Sequence, residues 1–377
     1  MKFSVERGHF LSALSHGNSV VAKKTTIPIL SHVLLQAQGG SLTMTTTDMD
    51  LALVETLPAV VEQPGAATIS SQMLFDIVRK LPDGVMIEIT LNPENDQINL
   101  IAGKSRFNLS SLPAEQFPKL TQDDLPFKFK VPTQTFLHLI DKAKFAMSAD
   151  DVRYYLNGIY FHTKEEDGVK KFRSVATDAH RLACIEIDVP EGAEEIPGII
   201  IGRKTLEEIR KLLDDQKEGD VAVSLSSRRV QFELPNSTLS SRLIDGAYPD
   251  YEKAIPLGND KTIIVDTKAL AQAVDRVATV ASTTQDKIRV INMNITENSM
   301  NLSAGSHELG DATEELAVDY PFDVPVKICL NAKYLLDIAQ QIKDDETQIQ
   351  LSNEDAPALI RGIQDSNSTY VIMPLRG

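Results

Sequence analysis

The chain has few of the residues that usually build a reactive centre or a membrane span. Its 377 residues include two cysteines, Cys184 and Cys329, which lie far apart, each in an apolar run. This pattern indicates buried thiols in a reducing compartment rather than a disulfide or a catalytic pair. Charged residues interrupt the first ten residues, which have no signal-peptide core. No uncharged stretch is apolar enough to span a membrane, so we expect a cytoplasmic protein without a membrane partner.

Positive charge is also scarce. The sequence has 38 Lys and Arg residues against 53 Asp and Glu, a formal net charge of −15 at pH 7. Taken alone, this charge argues against a simple nucleic-acid binder, whose surface is normally basic. Hydrophobic residues make up 42% of the chain. A soluble chain of this length and composition is expected to form about two or three domains.

Motifs for chemistry are missing as well. There is no glycine-rich phosphate loop, no G-x-S-x-G, and no H-x-x-x-H or C-x-x-C pair. The densest polar cluster is Thr177, Asp178, His180 and Arg181. Asp178 and His180 could contribute to a base or metal site, but two such groups alone are a weak signal. We therefore expect no cofactor, metal or catalytic residue, and keep an α+β metabolic enzyme using Asp178 and His180 as an alternative.

What the chain does contain is a repeat of about 130 residues. The phrase T-T-T-D-M-D-L at Thr45–Leu51 has a counterpart, A-T-D-A-H-R-L, at Ala176–Leu182. Aligning Thr47-Asp48 with Thr177-Asp178 sets the spacing. A third copy at Met300–Leu316 lacks the threonine–aspartate pair. Long internal periods are typical of chains built from repeated structural units.

Helical phrases recur with a similar period. Leu74–Leu81, Leu206–Leu213 and Leu335–Ile342 align without gaps, with apolar residues at the first, fourth and eighth positions and an acid at the third. This spacing predicts one amphipathic helix in each repeat. A preceding helix in each repeat is predicted by the apolar residues Phe10, Leu11 and Leu14, then Phe136, Ile140 and Ala143, then Leu270, Ala273, Val274 and Val277.

Each third of the chain therefore contains helix, strands, helix, strands, with Pro-containing linkers between the thirds. Two helices against antiparallel strands make an α+β domain. The predicted domains are residues 1–122, 131–256 and 257–377. Three equivalent domains without a catalytic cluster indicate that shape carries the function. A head-to-tail interface between copies of such a chain makes a ring if it closes.

Several segments, in the correct order, resemble the beta subunits of bacterial DNA polymerase III, the replicative sliding clamps. They are M-K-F-S-V-E-R at 1–7, T-I-P-I-L at 26–30, R-F-N-L-S-S-L-P at 106–113, D-V-R-Y-Y-L-N-G at 151–158, T-D-A-H-R-L at 177–182, Y-P-D-Y at 248–251 and Y-V-I-M-P-L-R at 370–376. The resemblance covers the full length. It implies a non-catalytic processivity factor, a head-to-tail dimer that closes a six-domain ring around duplex DNA, with helices inside and sheets outside.

A ring holds DNA topologically, so no base has to be read and weak phosphate contacts permit sliding. An acidic exterior would repel DNA everywhere except in the hole, which reconciles the charge with a DNA partner. The implied partners are double-stranded DNA of any sequence and short linear peptides of the polymerase III catalytic subunit, the clamp loader, other polymerases and repair proteins. The DNA-facing residues implied by the resemblance are Lys24, Gln72, Tyr154 and Tyr155, with Arg203 and Lys204 as additions.

The resemblance also implies a groove for these peptides between the middle and last domains. Its residues are Leu156, Thr177, His180, Arg181, Leu182, Pro249, Val371, Met373, Pro374, Leu375 and Arg376. The apolar members would form a slot for a partner's Leu or Phe, with Thr177, His180 and Arg181 supplying polar orientation at the rim. The dimer contacts map to Phe107 and Leu109 on one protomer and to Thr279 and Val280 on the other.

Four positions depart from the family pattern. Asp150 stands where a polar DNA-facing group is usual, and a carboxylate there would repel phosphate. Ala179 replaces a glycine, Lys253 replaces an arginine, and Thr279 is more polar than the usual aliphatic residue. The acidic charge and Asp150 keep open a third class of function, a peptide-binding scaffold that does not bind DNA.

Overall fold

The structure is a computed structural model that describes residues 1–22, 25–92, 95–120, 123–281, 289–306 and 310–375. Within these ranges the α-helices are α1 (Arg7–Val20), α2 (Ser71–Lys80), α3 (Thr133–Ala143), α4 (Arg203–Gln216), α5 (Thr267–Ala278) and α6 (Ala332–Ala339). The strands are β1 (Lys2–Glu6), β2 (His32–Gln38), β3 (Ser41–Thr47), β4 (Leu51–Pro58), β5 (Val60–Gln63), β6 (Gly65–Ser70), β7 (Met86–Asn92), β8 (Gln97–Ala102), β9 (Ser105–Ser110), β10 (Phe127–Pro132), β11 (Gly158–Glu166), β12 (Val169–Thr177), β13 (Arg181–Asp188), β14 (Ile199–Gly202), β15 (Asp220–Leu225), β16 (Arg229–Glu233), β17 (Ser237–Arg242), β18 (Lys261–Asp266), β19 (Val290–Thr296), β20 (Ser299–Ser306), β21 (Gly310–Ala317), β22 (Val326–Asn331), β23 (Glu346–Leu351), β24 (Ala358–Gly362) and β25 (Ser368–Ile372).

Both predicted helices are present in each repeat, and their apolar stripes are buried except for half-buried Leu11 and Ile77. Leu74, Leu206 and Leu335, which begin the aligned phrases, are each at most 1% exposed. The third phrase differs from its prediction at the end. Helix α6 stops at Ala339, and two residues later the Gln341 amide donates to the carbonyl of Ile338 in a tighter turn. The spacing therefore predicted the buried face correctly and overran one helix end.

The strands form four sheets, and every pairing among the described residues is antiparallel. The strand orders are β5-β1-β7-β8-β9, β10-β15-β16-β17-β4-β3-β2-β6, β14-β11-β12-β13-β25-β24-β23-β18 and β21-β20-β19-β22. The predicted α+β class, with three repeats of helices on antiparallel sheets, is confirmed.

Each eight-stranded sheet joins strands of two neighbouring repeats. Strand β4 of the first repeat pairs with β17 of the second, with Leu53 opposite Leu239. Strand β13 of the second repeat pairs with β25 of the third, with Leu182 opposite Val371. Backbone hydrogen bonds therefore connect successive repeats directly, without relying on the linkers.

This shared pairing produces two compact units whose limits cut through the middle repeat. The first comprises Met1–Leu137, Pro190–Pro197 and Lys204–Leu243, and the second comprises His138–Val189, Gly198–Arg203 and Ile244–Gly377. Each unit contains one eight-stranded sheet and one smaller sheet. The domain limits 1–122, 131–256 and 257–377 follow the repeats rather than these units, and they stay a prediction.

Each unit buries large side chains from its helices and strands. In the first unit Phe3 and Phe10 are fully buried, and β1 alternates between buried and half-buried residues. In the second unit Phe172 and Tyr370 are almost completely buried. Full burial of a large apolar side chain contributes about 1.5–3 kcal/mol, so these side chains are a main source of each unit's stability.

Both cysteines are free thiols, and the predicted burial is confirmed for Cys184 but wrong for Cys329. Burial raises the pKa of the Cys184 thiol to about 12, which keeps it protonated and unreactive at neutral pH. Cys329 is half-buried, and its thiol contacts Asn292 Oδ1 at 2.7 Å. Among the described residues, no helix combines the length and the apolar character that a membrane crossing requires.

The aligned threonine–aspartate pairs build the same turn twice. In the first repeat, Thr47 Oγ1 donates to the Leu51 carbonyl at 2.8 Å, and the amide of Leu51 donates to Asp48 Oδ1 at 2.8 Å. In the second repeat, Thr177 Oγ1 donates to the Arg181 carbonyl at 2.7 Å, and the Arg181 amide donates to Asp178 Oδ1 at 3.0 Å. The predicted 130-residue register is confirmed at the level of single hydrogen bonds.

Both turns require a left-handed backbone at their centre. Met49 has φ +84° and Ala179 has φ +75°. This region is unfavourable for a residue with a Cβ atom, by about 1–2 kcal/mol. The departure from glycine at position 179 therefore leaves a strained residue in the turn between β12 and β13.

We predict that Ala179→Gly stabilises the protein by about 0.5–1 kcal/mol, because the relief of left-handed strain exceeds the extra chain entropy of glycine. Urea unfolding measures the effect. Ala317→Gly is the matched control: that residue is exposed in an extended strand, so glycine there lowers the unfolding free energy. A loss of stability in Ala179→Gly would contradict the prediction.

Candidate functional site

The predicted groove residues on β12, β13 and β25 lie side by side in the second unit. Thr177 is opposite Leu182, and Leu182 is opposite Val371. Leu182 and Val371 belong to a small buried cluster with Val175, Cys184 and Tyr251. These side chains give the sheet an apolar floor at the end that carries the Asp178–Arg181 turn.

The last described residues run beside that turn. The Met373 amide donates to the His180 carbonyl at 2.8 Å, and the Leu375 amide donates to the Cys329 carbonyl at 2.8 Å. Met373, Pro374 and Leu375 are half-buried, so their side chains remain partly accessible. Arg376, also predicted for the groove, lies outside the described residues.

A second wall comes from the segment that contains the Y-P-D-Y motif. Pro249 is exposed, and Tyr248 beside it packs against the buried cluster. The Tyr248 ring stacks on Tyr160 at 4.7 Å with an interplanar angle of 8°. Leu156 is 3% exposed and ends the short 3-10 helix Tyr154–Leu156, so it is buried to about the same degree as Leu182 and Val371.

Two of the three residues predicted at the groove rim are buried instead. Thr177 is 8% exposed, and its hydroxyl is used inside the turn. Arg181 is 9% exposed, and its guanidinium donates to Asp178, to Asp337 and to the carbonyl of Phe145. Both polar groups are therefore satisfied within the protein, and the rim assignment stays a prediction. His180 is exposed.

Aromatic rings complete the surroundings of Arg181. Its guanidinium carbon lies 4.3 Å from the centre of the Tyr334 ring and 5.1 Å from that of Phe145. Planar stacking and carboxylate pairing are the contacts for which arginine is suited. Sequence reasoning missed Tyr334, Phe145 and Asp337. The one signal available was that Asp337 is the third-position acid of the repeated helical phrase.

The geometry does not favour the alternative of a reactive Asp178–His180 pair. Asp178 Oδ1 accepts from the amides of His180 and Arg181 at 2.9 and 3.0 Å, and Oδ2 accepts from Arg181 Nε at 3.1 Å. Both carboxylate oxygens thus serve the turn. Among the described residues there is also no group of three His, Cys, Asp or Glu side chains arranged to hold a metal ion.

Of the predicted DNA-facing residues, Gln72 and Lys204 lie in the first unit. Gln72 is exposed on α2 and donates to Asp76 at 2.8 Å. Lys204 Nζ donates to the Val20 carbonyl at 2.7 Å and to Asp48 Oδ2 at 2.6 Å. The Lys204 charge is therefore balanced by the carboxylate of the first threonine–aspartate turn. Lys24 lies outside the described residues.

The other three lie in the second unit. Tyr154 is 51% exposed and packs edge-on against Tyr155, with the ring centres 5.9 Å apart. Arg203 is half-buried and donates to the carbonyls of Met147 and Ser148 at 3.3 and 3.2 Å. Tyr154 is the more accessible of the two tyrosines.

Asp150 has a structural role in the same loop. Its Oδ1 accepts from the Val152 amide and its Oδ2 from Arg153 Nε, both at 2.9 Å. The amide of Val152 and the Arg153 guanidinium together lower the pKa of the Asp150 carboxyl. Its negative charge is thus paired with Arg153, which reduces the repulsion that a phosphate would meet there.

Of the residues predicted for the dimer interface, two lie on an edge strand and two follow a helix. Phe107 and Leu109 are half-buried on β9, which ends the five-stranded sheet. Phe107 also lines a hollow of about 520 Å³ with Ile77 and Met73, whose side chain is 53% exposed. Thr279, which is exposed, and half-buried Val280 follow α5 in the unit whose smaller sheet ends at β21.

Comparison with known proteins covers the whole chain. Three family models match in succession: the DNA polymerase III beta subunit N-terminal domain at residues 1–121, its central domain at 130–250 and its C-terminal domain at 252–376. The beta sliding clamp of Caulobacter vibrioides is 41% identical over 376 residues, and that of Escherichia coli K12 is 33% identical over 379 residues, each with full coverage of both chains.

Solved structures agree with these matches. A Caulobacter crescentus beta sliding clamp superposes with a TM-score of 0.96 at 41% identity, covering 100% of this chain and 99% of that one. A sliding clamp (DNA polymerase III subunit beta) from Bartonella birtlesii, bound to griselimycin, gives a TM-score of 0.95 at 39% identity with full coverage of both chains. The fold, the repeated turns and these full-length matches lead to one conclusion: the chain belongs to the DNA polymerase III beta subunit family, the beta sliding clamps.

Proposed function

We propose that two copies of this chain close head-to-tail into a ring around duplex DNA and tether the replicative polymerase to it. The observation that carries this proposal is the match of the three family domains in succession, at residues 1–121, 130–250 and 252–376. As a sliding clamp, the chain is a non-catalytic subunit that confers processivity. We propose the cytoplasm as its location.

Enclosure allows an acidic protein to keep hold of DNA. A net charge of −15 gives weak overall affinity for a polyanion, whereas a closed ring needs only contacts that break easily during sliding. We propose Lys24, Gln72, Tyr154, Tyr155 and Arg203 as DNA-facing groups. Lys204 contributes less than a free lysine would, because Asp48 balances its charge.

The edge strands support a head-to-tail contact. Strand β9 carries Arg106 and follows Lys104, whereas β21 carries Asp311, Glu314 and Glu315. Glu314 is already paired with Arg276 of the same chain. Glu315 accepts from the neutral Ser299 hydroxyl at 2.6 Å, so it keeps its negative charge, and with Asp311 it could take part in an intermolecular contact. A basic edge and an acidic edge on one chain complement each other between copies, which is the requirement for a heterologous interface.

Apolar contacts would complete that interface. The hollow beside Phe107 is open and has an exposed methionine on its wall. We propose that it receives Val280 and the methyl group of Thr279 from the partner, while Leu109 packs alongside. An aromatic residue in a partly open apolar hollow is typical of the central anchor of a protein interface.

The groove is the proposed site at which the polymerase is attached to the ring. Its apolar floor, Leu182 and Val371, and its half-buried wall, Met373–Leu375, suit a Leu or Phe side chain of a short linear peptide. Methionine can repack around different side chains, which suits a site that serves several partners. We propose the polymerase III catalytic subunit, the clamp loader, other polymerases and repair proteins as those partners.

We predict that the protein, loaded onto nicked circular DNA by a clamp loader, forms a complex that survives gel filtration and is lost when the circle is cut. The physical reason is that a ring can leave DNA only by opening or by sliding off an end. Uncut circles incubated in parallel are the control. Equal lifetimes on circular and linear DNA would exclude enclosure and favour a peptide-binding scaffold without DNA.

We predict that Phe107→Glu converts the dimer into monomers, because it places a carboxylate in the apolar hollow. Light scattering after size exclusion should change from about twice 41.5 kDa to 41.5 kDa. Phe322→Glu is the matched control, since Phe322 is an aromatic residue that is 37% exposed and has no part in the proposed interface. A Phe107→Glu variant that remains dimeric would contradict this interface.

We predict that deletion of residues 373–377 weakens binding of a Leu- and Phe-containing peptide at least about tenfold, through loss of buried apolar contacts, and abolishes polymerase stimulation. The dimer should persist. Leu257→Ala, which removes a leucine that is 99% exposed outside the groove, serves as the control. Retained stimulation in the deletion variant would show that the groove lies elsewhere.

A further inference from the structure

The segment that carries Pro249 is anchored away from the groove. It continues into a short 3-10 helix, Tyr251–Ala254, and Tyr251 is 6% exposed in the cluster beneath the groove. Pro249 lies two residues before Tyr251. The groups that contact Tyr251 therefore also determine the position of Pro249, which forms one wall of the groove.

Those groups form a row across three strands. His162 on β11 is opposite Arg173 on β12, and Arg173 is opposite Glu186 on β13. Arg173 and Thr177 are four residues apart on one strand, so they share a face of the sheet and lie about 13 Å apart. The row is therefore on the face that forms the groove floor, but out of reach of a side chain bound beside Thr177.

Arg173 is the centre of this row. The residue is 5% exposed, and its guanidinium pairs with Glu166 at 2.8 Å, with Glu186, and with Glu252 at 3.2 Å. Its Nη1 also donates to the Tyr251 hydroxyl at 3.2 Å. Glu252 is held from a second side by Lys164 at 2.9 Å. Two consecutive residues of the 3-10 helix are thus fastened to the sheet through one buried cation.

The donor and the acceptor in each hydrogen bond of the Tyr251 hydroxyl can be assigned. An arginine can only donate, so the Tyr251 oxygen accepts from Arg173, and its own proton is free for His162 Nε2, 3.0 Å away. This arrangement requires a neutral imidazole with its proton on Nδ1, which faces the Thr163 carbonyl at 3.4 Å. Burial lowers the pKa of His162 to about 4, so the ring is neutral at neutral pH.

Stacked rings connect the same histidine to the start of the segment. His162 stacks on Tyr160 at 4.7 Å, and Tyr160 stacks on Tyr248 at 4.7 Å. Tyr248 directly precedes Pro249. The segment is thereby held on both sides of the proline, by ring stacking before it and by hydrogen bonds after it.

We propose that Arg173 and His162 are positioning residues of the peptide groove, which fix the Pro249 wall through the Tyr251 hydroxyl without touching the peptide. The inference rests on the proposed function, because it presupposes that the groove binds peptides. Their effect on affinity arises because a wall that is already in place loses less conformational entropy when a ligand binds.

The test compares two buried hydroxyl deletions in the full-length protein. Tyr251→Phe keeps the ring and removes the hydroxyl that contacts Arg173 and His162. Tyr320→Phe is the matched control, because Tyr320 is also buried in the second unit and its hydroxyl donates to the Val324 carbonyl at 2.7 Å. Fluorescence anisotropy with a labelled synthetic peptide bearing Leu and Phe measures affinity. We expect Tyr251→Phe to raise Kd about fivefold and Tyr320→Phe to change it less than about twofold.

A second pair of variants separates positioning from general stability. His162→Gln retains an acceptor for the Tyr251 hydroxyl, and His162→Leu does not. We expect the glutamine variant to bind peptide as the wild type does and the leucine variant to resemble Tyr251→Phe, even where thermal unfolding shows both to be destabilised. This rescue would not occur if the histidine only filled space.

The outcomes are distinct. If the wild-type protein does not bind the peptide, the proposed groove function fails and the positioning role fails with it. If the wild type binds and both Tyr251→Phe and His162→Leu bind equally well, only the positioning role is overturned. Equal weakening by Tyr251→Phe and Tyr320→Phe would also overturn it, because the effect would then follow from stability alone.

Discussion

Antiparallel pairing between strands of neighbouring repeats is the constraint on which the rest of the structure depends. Strands β4 and β17, and likewise β13 and β25, exchange backbone hydrogen bonds across a repeat boundary. The second of these pairings brings the Asp178–Arg181 turn beside the last residues of the chain. The proposed groove therefore depends on this pairing, because its residues come from both the second and the third repeat.

Polar side chains around the groove act mainly by holding its parts in place. Arg181 and Arg173 are both buried, and each is surrounded by carboxylates and aromatic rings rather than by solvent. Burying a charge is unfavourable unless its partners are complete, and removal of one partner is then strongly destabilising. Such complete clusters hold the strands, the turn and the 3-10 helix in one arrangement.

Local chemistry explains what could be predicted from the sequence. The side chains of a threonine and an aspartate at the start of a turn form hydrogen bonds to backbone groups a few residues away. Aligning Thr47 with Thr177 therefore also aligned the hydrogen bonds of the two turns. The apolar spacing beginning at Leu74, Leu206 and Leu335 predicted the buried helix faces for the same reason. Both signals lie within a short stretch of chain.

What could not be predicted depends on partners far along the chain. Arg181 was expected at a rim because nothing near it in sequence indicates Asp337, the carboxylate that draws it inward. Lys204 was expected to face DNA, although its ammonium group forms an ion pair with Asp48. The anchoring of Tyr251 likewise joins residues from three separate strands. Propensity and periodicity contain no information about such pairs, which exist only after the sheets have formed.

The two uncovered edge strands have a further consequence. Because β9 is basic and β21 is acidic, each copy carries both of the complementary surfaces of a head-to-tail contact. Head-to-tail contacts close into a ring only when the rotation between successive copies is a whole fraction of a full turn. Otherwise copies keep adding and form an open filament. A substitution that altered the angle between successive copies, while leaving both edges intact, would therefore yield open filaments rather than free single chains.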